Sequence, residues 1–291
     1  MADNVSFSMQ TSVFALIGYP LEHSLSSIVY NEVFRMLKKD ALYIPFEIKP
    51  EELGDFIKAA KLLNLKGFGL TMPHKSAIIP YLDYIDETAR IYNCVNAVII
   101  RDGKMHGYCY DGKGYATGLR KEGVSAAGRD VLFLGTGSVT GVIAAELAKE
   151  KPSSFTFLNR TVKKAEDLAK TVSEHTGIKC EAGALNNDNM DKFALNTTLL
   201  IQTTSLGLTG MKQDYDYLDF IDKLPQNAVV TDLIYNPKET SLLKKARERG
   251  LKTVNGLRMV YCQSKQIIEK FFPGEDISEE LVDEAGKIIK Y

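Results

Sequence analysis

A glycine loop in the middle of the chain, and a basic tripeptide after it, carry the first chemistry. Val131-Leu-Phe-Leu-Gly135-Thr136-Gly137-Ser138-Val139-Thr-Gly141 reads as a buried strand that breaks into glycines and then opens a helix. Gly135 allows a tight turn, and Gly137 lets a pyrophosphate approach the backbone at the helix N-terminus. The next apolar run, 155–158, ends in Asn159-Arg160-Thr161. Folds that take NAD hold the ribose 2′-hydroxyl with an acid about 20 residues past the glycines, whereas an arginine nearby accommodates a 2′-phosphate. Arg160 with Thr161 and Lys164, a helical turn on, makes a compact phosphate grip. The pair of motifs points to NADP. The alternative for Arg160 is a surface arginine after a strand. Gly141 also comes later than the simple glycine fingerprint expects.

A second set of polar residues falls at the ends of apolar runs, where ligands collect in open α/β sheets. Ser24 and Ser26 follow the run 14–18, Thr71 and Lys75 follow 67–70, and Asn96 and Asp111 flank a pair of runs at 95–100 and 105–109. Hydroxyls, an amide, one cation and one carboxylate suit a small polyhydroxylated acid rather than an apolar ligand. Hydride delivery to a ketone leaves charge on oxygen and needs a proton donor in place. A lysine can donate, and a nearby carboxylate orients it and keeps it charged. The alternative for Lys75 is a solvated loop lysine, which is what most lysines in 36 basic residues are. Its position directly after a strand and Thr-x-Pro favours catalysis. Asp111 could cap a helix before Gly112, bind a substrate hydroxyl, or do both.

These residues need a scaffold, and the pattern supplies one. Short apolar runs alternate with amphipathic stretches, the signature of an α/β fold with a parallel sheet. Strands are predicted at 14–18, 43–48, 67–71, 131–134, 155–158, 199–201 and 229–232, with a hairpin of 95–100 and 105–109 around Asp102-Gly103. Helices are predicted at 28–37, 51–63, 112–122, 242–249, 257–272 and 278–290. At 291 residues the chain is long enough for two domains. The N-terminal α/β domain covers 1–112 and is completed by helices in 257–291, and a Rossmann-like doubly wound domain covers 113–256. No internal repeat or low-complexity stretch is present.

Composition narrows the class. A net charge of −1 provides no basic field for nucleic acid or an acidic membrane. No apolar run approaches bilayer length, and the N-terminus lacks a signal-peptide pattern. The four cysteines, Cys94, Cys109, Cys180 and Cys262, show no CxxC spacing and read as reduced thiols of a cytoplasmic protein. The four histidines fall at no metal-binding spacing. His23 and His74 read as polar loop residues, and no metal is assigned.

Ser24-Leu-Ser26, Thr71-Met-Pro-His-Lys75, Asn96 and Asp111 resemble the substrate-site motifs of the shikimate dehydrogenases. So do Gly135-Thr-Gly137, Asn159-Arg160-Thr161, Thr204-Ser205-Leu-Gly207, Asp232-Leu-Ile-Tyr235-Asn-Pro237 and Gly256-Leu-Arg-Met259 with Gln263. The order is the family's, over nearly the whole chain. The resemblance implies NADP-linked interconversion of 3-dehydroshikimate and shikimate, a step toward the aromatic amino acids. It makes Lys75 and Asp111 the catalytic pair, with Ser24, Ser26, Thr71, Asn96, Tyr235 and Gln263 on the substrate. It assigns Gly135, Thr136, Gly137, Ser138, Val139, Asn159, Arg160, Thr161, Lys164, Thr204, Ser205, Gly256 and Met259 to the cofactor. Without it, Tyr235 and Gln263 read as core-edge packing, and Met259 as a wall of the nicotinamide pocket or plain core. A homodimer is compatible with it.

The chain departs from the family's pattern at four places. Ser27 stands for the usual proline, Gly69 for an asparagine, Cys109-Tyr110 for Asn-Thr before the catalytic aspartate, and Ser138 often for a glycine. The phenol of Tyr110 reshapes the pocket beside Asp111. Two serines at 24 and 26 favour shikimate, because quinate-preferring relatives tend to carry a bulkier hydroxyl residue there. A quinate/shikimate dehydrogenase with relaxed substrate and cofactor choice is the first alternative. A non-catalytic NADP sensor is a remoter one, opposed by the retained Lys75 and Asp111.

Overall fold

The structure, a computed structural model, describes residues 7–21 and 24–289. His23 lies outside the described residues. The chain divides into two compact units, Met1–Tyr110 with Tyr261–Tyr291, and Asp111–Val260.

The first unit is built on six strands, β1 (Ser12–Gly18), β2 (Ala41–Glu47), β3 (Gly67–Leu70), β4 (Tyr84–Ile85), β5 (Ala97–Arg101) and β6 (Lys104–Tyr108). They lie in the order β2-β1-β3-β5-β6-β4. β1 pairs parallel with β2 and β3, β5 runs antiparallel to β3 and β6, and β4 is parallel to β6. The β5–β6 hairpin turns on Asp102 and Gly103, both at positive φ (51° and 72°), as its Asp-Gly pair predicts. One core packs Ala15 and Ile17 of β1 against Phe56, Ile57 and Phe68. Helix Ser26–Met36 buries Val29, Tyr30, Val33 and Phe34, a stripe at helical spacing.

The second unit is a parallel sheet of β7 (Asp130–Leu134), β8 (Ser154–Asn159), β9 (Cys180–Ala184), β10 (Leu199–Gln202), β11 (Val229–Asp232) and β12 (Lys252–Val254). Its order is β12-β11-β10-β7-β8-β9. Counted from β7, that is the doubly wound order 3-2-1-4-5-6, with its switch point between β7 and β10. Val131, Leu132, Phe133 and Leu134 are all fully buried, as a central parallel strand covered on both faces requires.

Several elements differ from expectation. The third strand stops at Leu70, and a four-residue helix, His74–Ala77, follows it. The stretch 51–63 begins as a 3₁₀ turn, Pro50–Glu52, before helix Leu53–Leu62. The last helix runs Glu279–Gly286, with the Ser278 hydroxyl accepting from the Leu281 amide as its cap. β4, β9 and β12 had no strand signal. β4 is two residues long, β9 is Cys-Glu-Ala-Gly-Ala, and all three lie at sheet edges where little apolar surface is needed.

Candidate functional site

Within the first unit, the predicted substrate residues gather at the ends of β1, β3 and β5. Ser24 and Ser26 are half-buried where β1 gives way to helix Ser26–Met36. The Thr71 amide donates to the Ile17 carbonyl (2.9 Å) and the Tyr19 amide to Met72 (2.9 Å), so the ends of β1 and β3 are tied together. Asn96 is only 4% exposed. Its Nδ2 donates to Gln263 Oε1 at 3.0 Å, and its Oδ1 accepts from the Tyr110 amide at 2.9 Å. Its own amide donates to Tyr108 and its carbonyl accepts from Leu70, which locks it across three strand ends. Gln263, on helix Leu257–Phe271, is half-buried, and its amide is engaged with Asn96 rather than with apolar packing alone.

Lys75 is half-buried on the short helix His74–Ala77, and its carbonyl accepts from the Val95 amide at 2.8 Å. His74 corrects its sequence reading. It is fully buried, not a polar loop residue, and its Nε2 donates to the Ile48 carbonyl at 2.7 Å. A lone histidine beside a strand end carries no pattern that separates a surface ring from a buried strut.

Two departures acquire physical reasons. A Cβ at Gly69 would lie 2.2 Å from the Tyr43 hydroxyl. Tyr43 is 1% exposed, stacks on Tyr30 at 4.5 Å, and hydrogen-bonds the Gly69 backbone. Glycine at 69 is the space that this phenol occupies. Tyr110 stacks on Tyr108 with ring centroids 6.0 Å apart, and burial pushes its phenol above the ordinary tyrosine range.

In the second unit, Asp111 is the first residue of helix Asp111–Lys121 and is 1% exposed. The glycine loop lies at the switch point of the sheet. Gly135 has φ +102°, and a Cβ there would meet Thr204 Cγ2 at 2.7 Å. The Thr203 hydroxyl, 2.9 Å from Gly135 O and 2.9 Å from Thr140 Oγ1, braces the turn. A Cβ at Gly137, by contrast, would meet nothing nearer than 3.8 Å. The protein's own packing does not require that glycine, and a bound pyrophosphate would. The Thr136 hydroxyl is buried without a partner among the described residues. Ser138 and Val139 are half-buried before helix Thr140–Ala148. Thr203 and Thr140 were missed by sequence reasoning because hydroxyls flanking a motif carry no periodic signal.

Arg160, Thr161 and Lys164 are exposed around the start of helix Val162–Thr176, and Asn159 Nδ2 donates to the Thr161 carbonyl. The open glycine cradle, the unpartnered hydroxyl and this basic rim fit a dinucleotide with a 2′-phosphate. Thr204 and Ser205 follow β10, the Gly256 amide donates to Ile234, and Met259 is buried. Tyr235 is half-buried on the loop after β11. Beneath these loops the Asp232 carboxylate, 1% exposed, accepts from the Ile234 amide (2.8 Å), Thr240 Oγ1 (2.8 Å) and Gln202 Nε2 (3.3 Å). Burial is the main cause that lifts its pKa to about 7.

Residues 16–98 match the sequence model of a shikimate dehydrogenase substrate binding domain, and 119–205 that of a shikimate / quinate 5-dehydrogenase. The NADP(+) shikimate dehydrogenase of Alkaliphilus oremlandii is 37% identical over 256 residues, covering 88% of this chain and 89% of that protein. A shikimate dehydrogenase solved in complex with NADP+ superposes with TM-score 0.84 at 35% identity, covering 98% of each chain. The ligand-free 5-ketofructose reductase of Gluconobacter sp. strain CHM43 does so with TM-score 0.79 at 30% identity, covering 97% of this chain and 99% of that one. With its motifs in order on two α/β units and such relatives along nearly its full length, the chain belongs to the shikimate dehydrogenase family.

Proposed function

We propose that the chain interconverts 3-dehydroshikimate and shikimate with NADP. The reading rests on likeness to curated NADP(+) shikimate dehydrogenases across both units, 37% identical over 88% of the chain. The unit that holds Ser24, Thr71, Lys75 and Asn96 takes the substrate, and the unit with the Gly135 loop takes the cofactor.

NADP supplies the hydride or accepts it. The chain's own residues do the rest. Ser24, Ser26, Thr71, Gln263 and Tyr235 hold the carboxylate and hydroxyls of the ring. Asn96, locked by Tyr110 and Gln263, sets a fixed amide against the ring. The Lys75 ammonium gives its proton to the oxygen that gains charge during reduction, and takes it back during oxidation. Asp111 accepts from the neighbouring hydroxyl of the substrate and completes the proposed acid–base pair. Arg160, Thr161 and Lys164 hold the 2′-phosphate, with Asn159 shaping their turn. Gly135, Thr136, Gly137, Ser138 and Val139 line the pyrophosphate, and Thr204, Ser205, Gly256 and Met259 border the nicotinamide.

A steady-state panel of shikimate and quinate, each with NADP+ and NAD+, tests this. Turnover with shikimate and NADP+ well above the other pairs is expected, and quinate preferred over shikimate would overturn it. A second reading, relaxed choice among ring and sugar ketones, draws on Tyr110 before Asp111 and on the likeness to a 5-ketofructose reductase. Adding 5-ketofructose with NADPH to the panel separates the two. A homodimer is compatible with this reading and is tested by sedimentation equilibrium, and the expected compartment is the cytoplasm. Among the described residues, no helix is long and apolar enough to cross a membrane.

A further inference from the structure

Cys94 and Cys109 are 15 residues apart in sequence, yet their sulfurs lie 3.5 Å apart in the first unit. The β5–β6 hairpin pairs Ala97 with Tyr108, and both cysteines lie beyond its open end, Cys94 three residues before β5 and Cys109 directly after β6. Asp86 holds both sides. Its Oδ1 accepts from the Ala89 amide at the start of the helix leading to Cys94, and its Oδ2 accepts from the Cys109 amide at 3.0 Å. Cys94 is fully buried and Cys109 is half-buried. A reagent therefore reaches Cys109 first, with Cys94 directly behind it.

The pair sits on the segments that fix the substrate residues. Next to Cys94, the Val95 amide donates to the Lys75 carbonyl, and the following residue is Asn96. Next to Cys109, the Tyr110 amide holds Asn96 Oδ1. A disulfide needs the sulfurs about 2.05 Å apart. Closing the present gap pulls on the two segments that hold the carbonyl of Lys75 and the side-chain amide of Asn96.

We propose that Cys94 and Cys109 form an oxidative modification site, in which a low-molecular-weight disulfide converts the two thiols to an intramolecular disulfide that slows turnover. The Cys109 thiolate attacks the small disulfide, forming a mixed disulfide and releasing one small thiol. The Cys94 thiolate then attacks Cys109 Sγ, forming the protein disulfide and releasing the second small thiol. The two cysteines lose two electrons and two protons, and the small disulfide is reduced to two thiols. The other cysteines are poorer targets. Cys262 is buried, and burial pushes the Cys180 thiol up to about 11, which keeps it from ionising near neutral pH.

The test treats the full chain with glutathione disulfide, counts thiols, maps peptides by mass and then measures shikimate oxidation. Expected are the loss of two of the four thiols, a Cys94–Cys109 cross-linked peptide, at least about a tenfold fall in kcat/KM, and recovery with dithiothreitol. Cys94→Ser should instead retain a stable glutathione adduct on Cys109 without a cross-link. Four thiols remaining after treatment would overturn the proposal. So would separate glutathione adducts on Cys94 and Cys109, or a cross-linked protein of unchanged kcat/KM. The effect on turnover rests on the proposed roles of Lys75 and Asn96. The thiol count and the cross-link are read without substrate, so a failure of the activity itself does not mimic a failure here.

Discussion

Lys75 rides on a helix of four residues, far too short to persist by itself. Its position is set by its neighbours, the buried His74 strut to Ile48 and the Val95 amide on its own carbonyl. His74→Ala removes the partner of the partly buried Ile48 carbonyl and empties the buried site of the ring, and a loss of about 1–3 kcal/mol in urea unfolding is expected, accompanied by lower kcat as Lys75 loosens. Lys75→Ala should lower kcat by about 10²–10⁴ while shikimate still binds, and unchanged turnover would remove the lysine from the mechanism. On the cofactor side, Arg160 is exposed beside the start of helix Val162–Thr176, and the proposed function gives it the 2′-phosphate. Arg160→Ala should weaken NADPH by roughly 10–100-fold, the worth of one or two charge-assisted hydrogen bonds, and leave NADH nearly unchanged. Fluorescence titration of both cofactors reads the difference.

At the scale of elements, the strand ends do the placing. β3 carries Gly69 two positions before Thr71, and the Tyr43 phenol of β2 reaches across β1 into the space above it. Gly69→Ala should destabilise the chain, because the new Cβ meets a fully packed hydroxyl and overpacking costs typically 1–3 kcal/mol. Tyr43→Phe removes the clashing oxygen, so the double variant should recover part of the loss, and a double-mutant cycle in denaturant reads the coupling. Additive losses would place the constraint elsewhere. The strand itself was legible from Gly67-Phe-Gly-Leu, but the reason for its second glycine was not, because the partner is 26 residues away in sequence. The glycine loop behaves in the opposite way. Its strand, turn and helix were readable locally, since the determinants of a βα turn lie within a dozen consecutive residues.

At the scale of the whole molecule, the buried Asp232 carboxylate under the loops of the second unit ties stability to pH. Its pKa is about 7 in the folded chain, raised first by burial and slightly by Asp214, against about 3.9 when unfolded. Between those values the folded state binds more protons than the unfolded one, so its contribution is full below about pH 4 and is lost as pH rises through about 7. Stability should therefore show a component that declines across that window, and Asp232→Asn should flatten it in thermal melts taken from pH 4 to 8. A decline of the same size in the variant would assign the slope to other groups.

Strand–turn–helix punctuation and strand-end residue types are local properties of the chain, so the α/β class, the two motif sets and the basic residues after β8 were readable from residue order alone. Relations to partners distant in sequence emerged only once the chain was folded. Folding buried His74, gave Gly69 to the Tyr43 hydroxyl, locked Asn96 between Tyr110 and Gln263, and brought Cys94 to Cys109. Each of these is a packing or hydrogen-bond relation between separate elements, and no spacing rule along one chain encodes which residue will fill a neighbour's space.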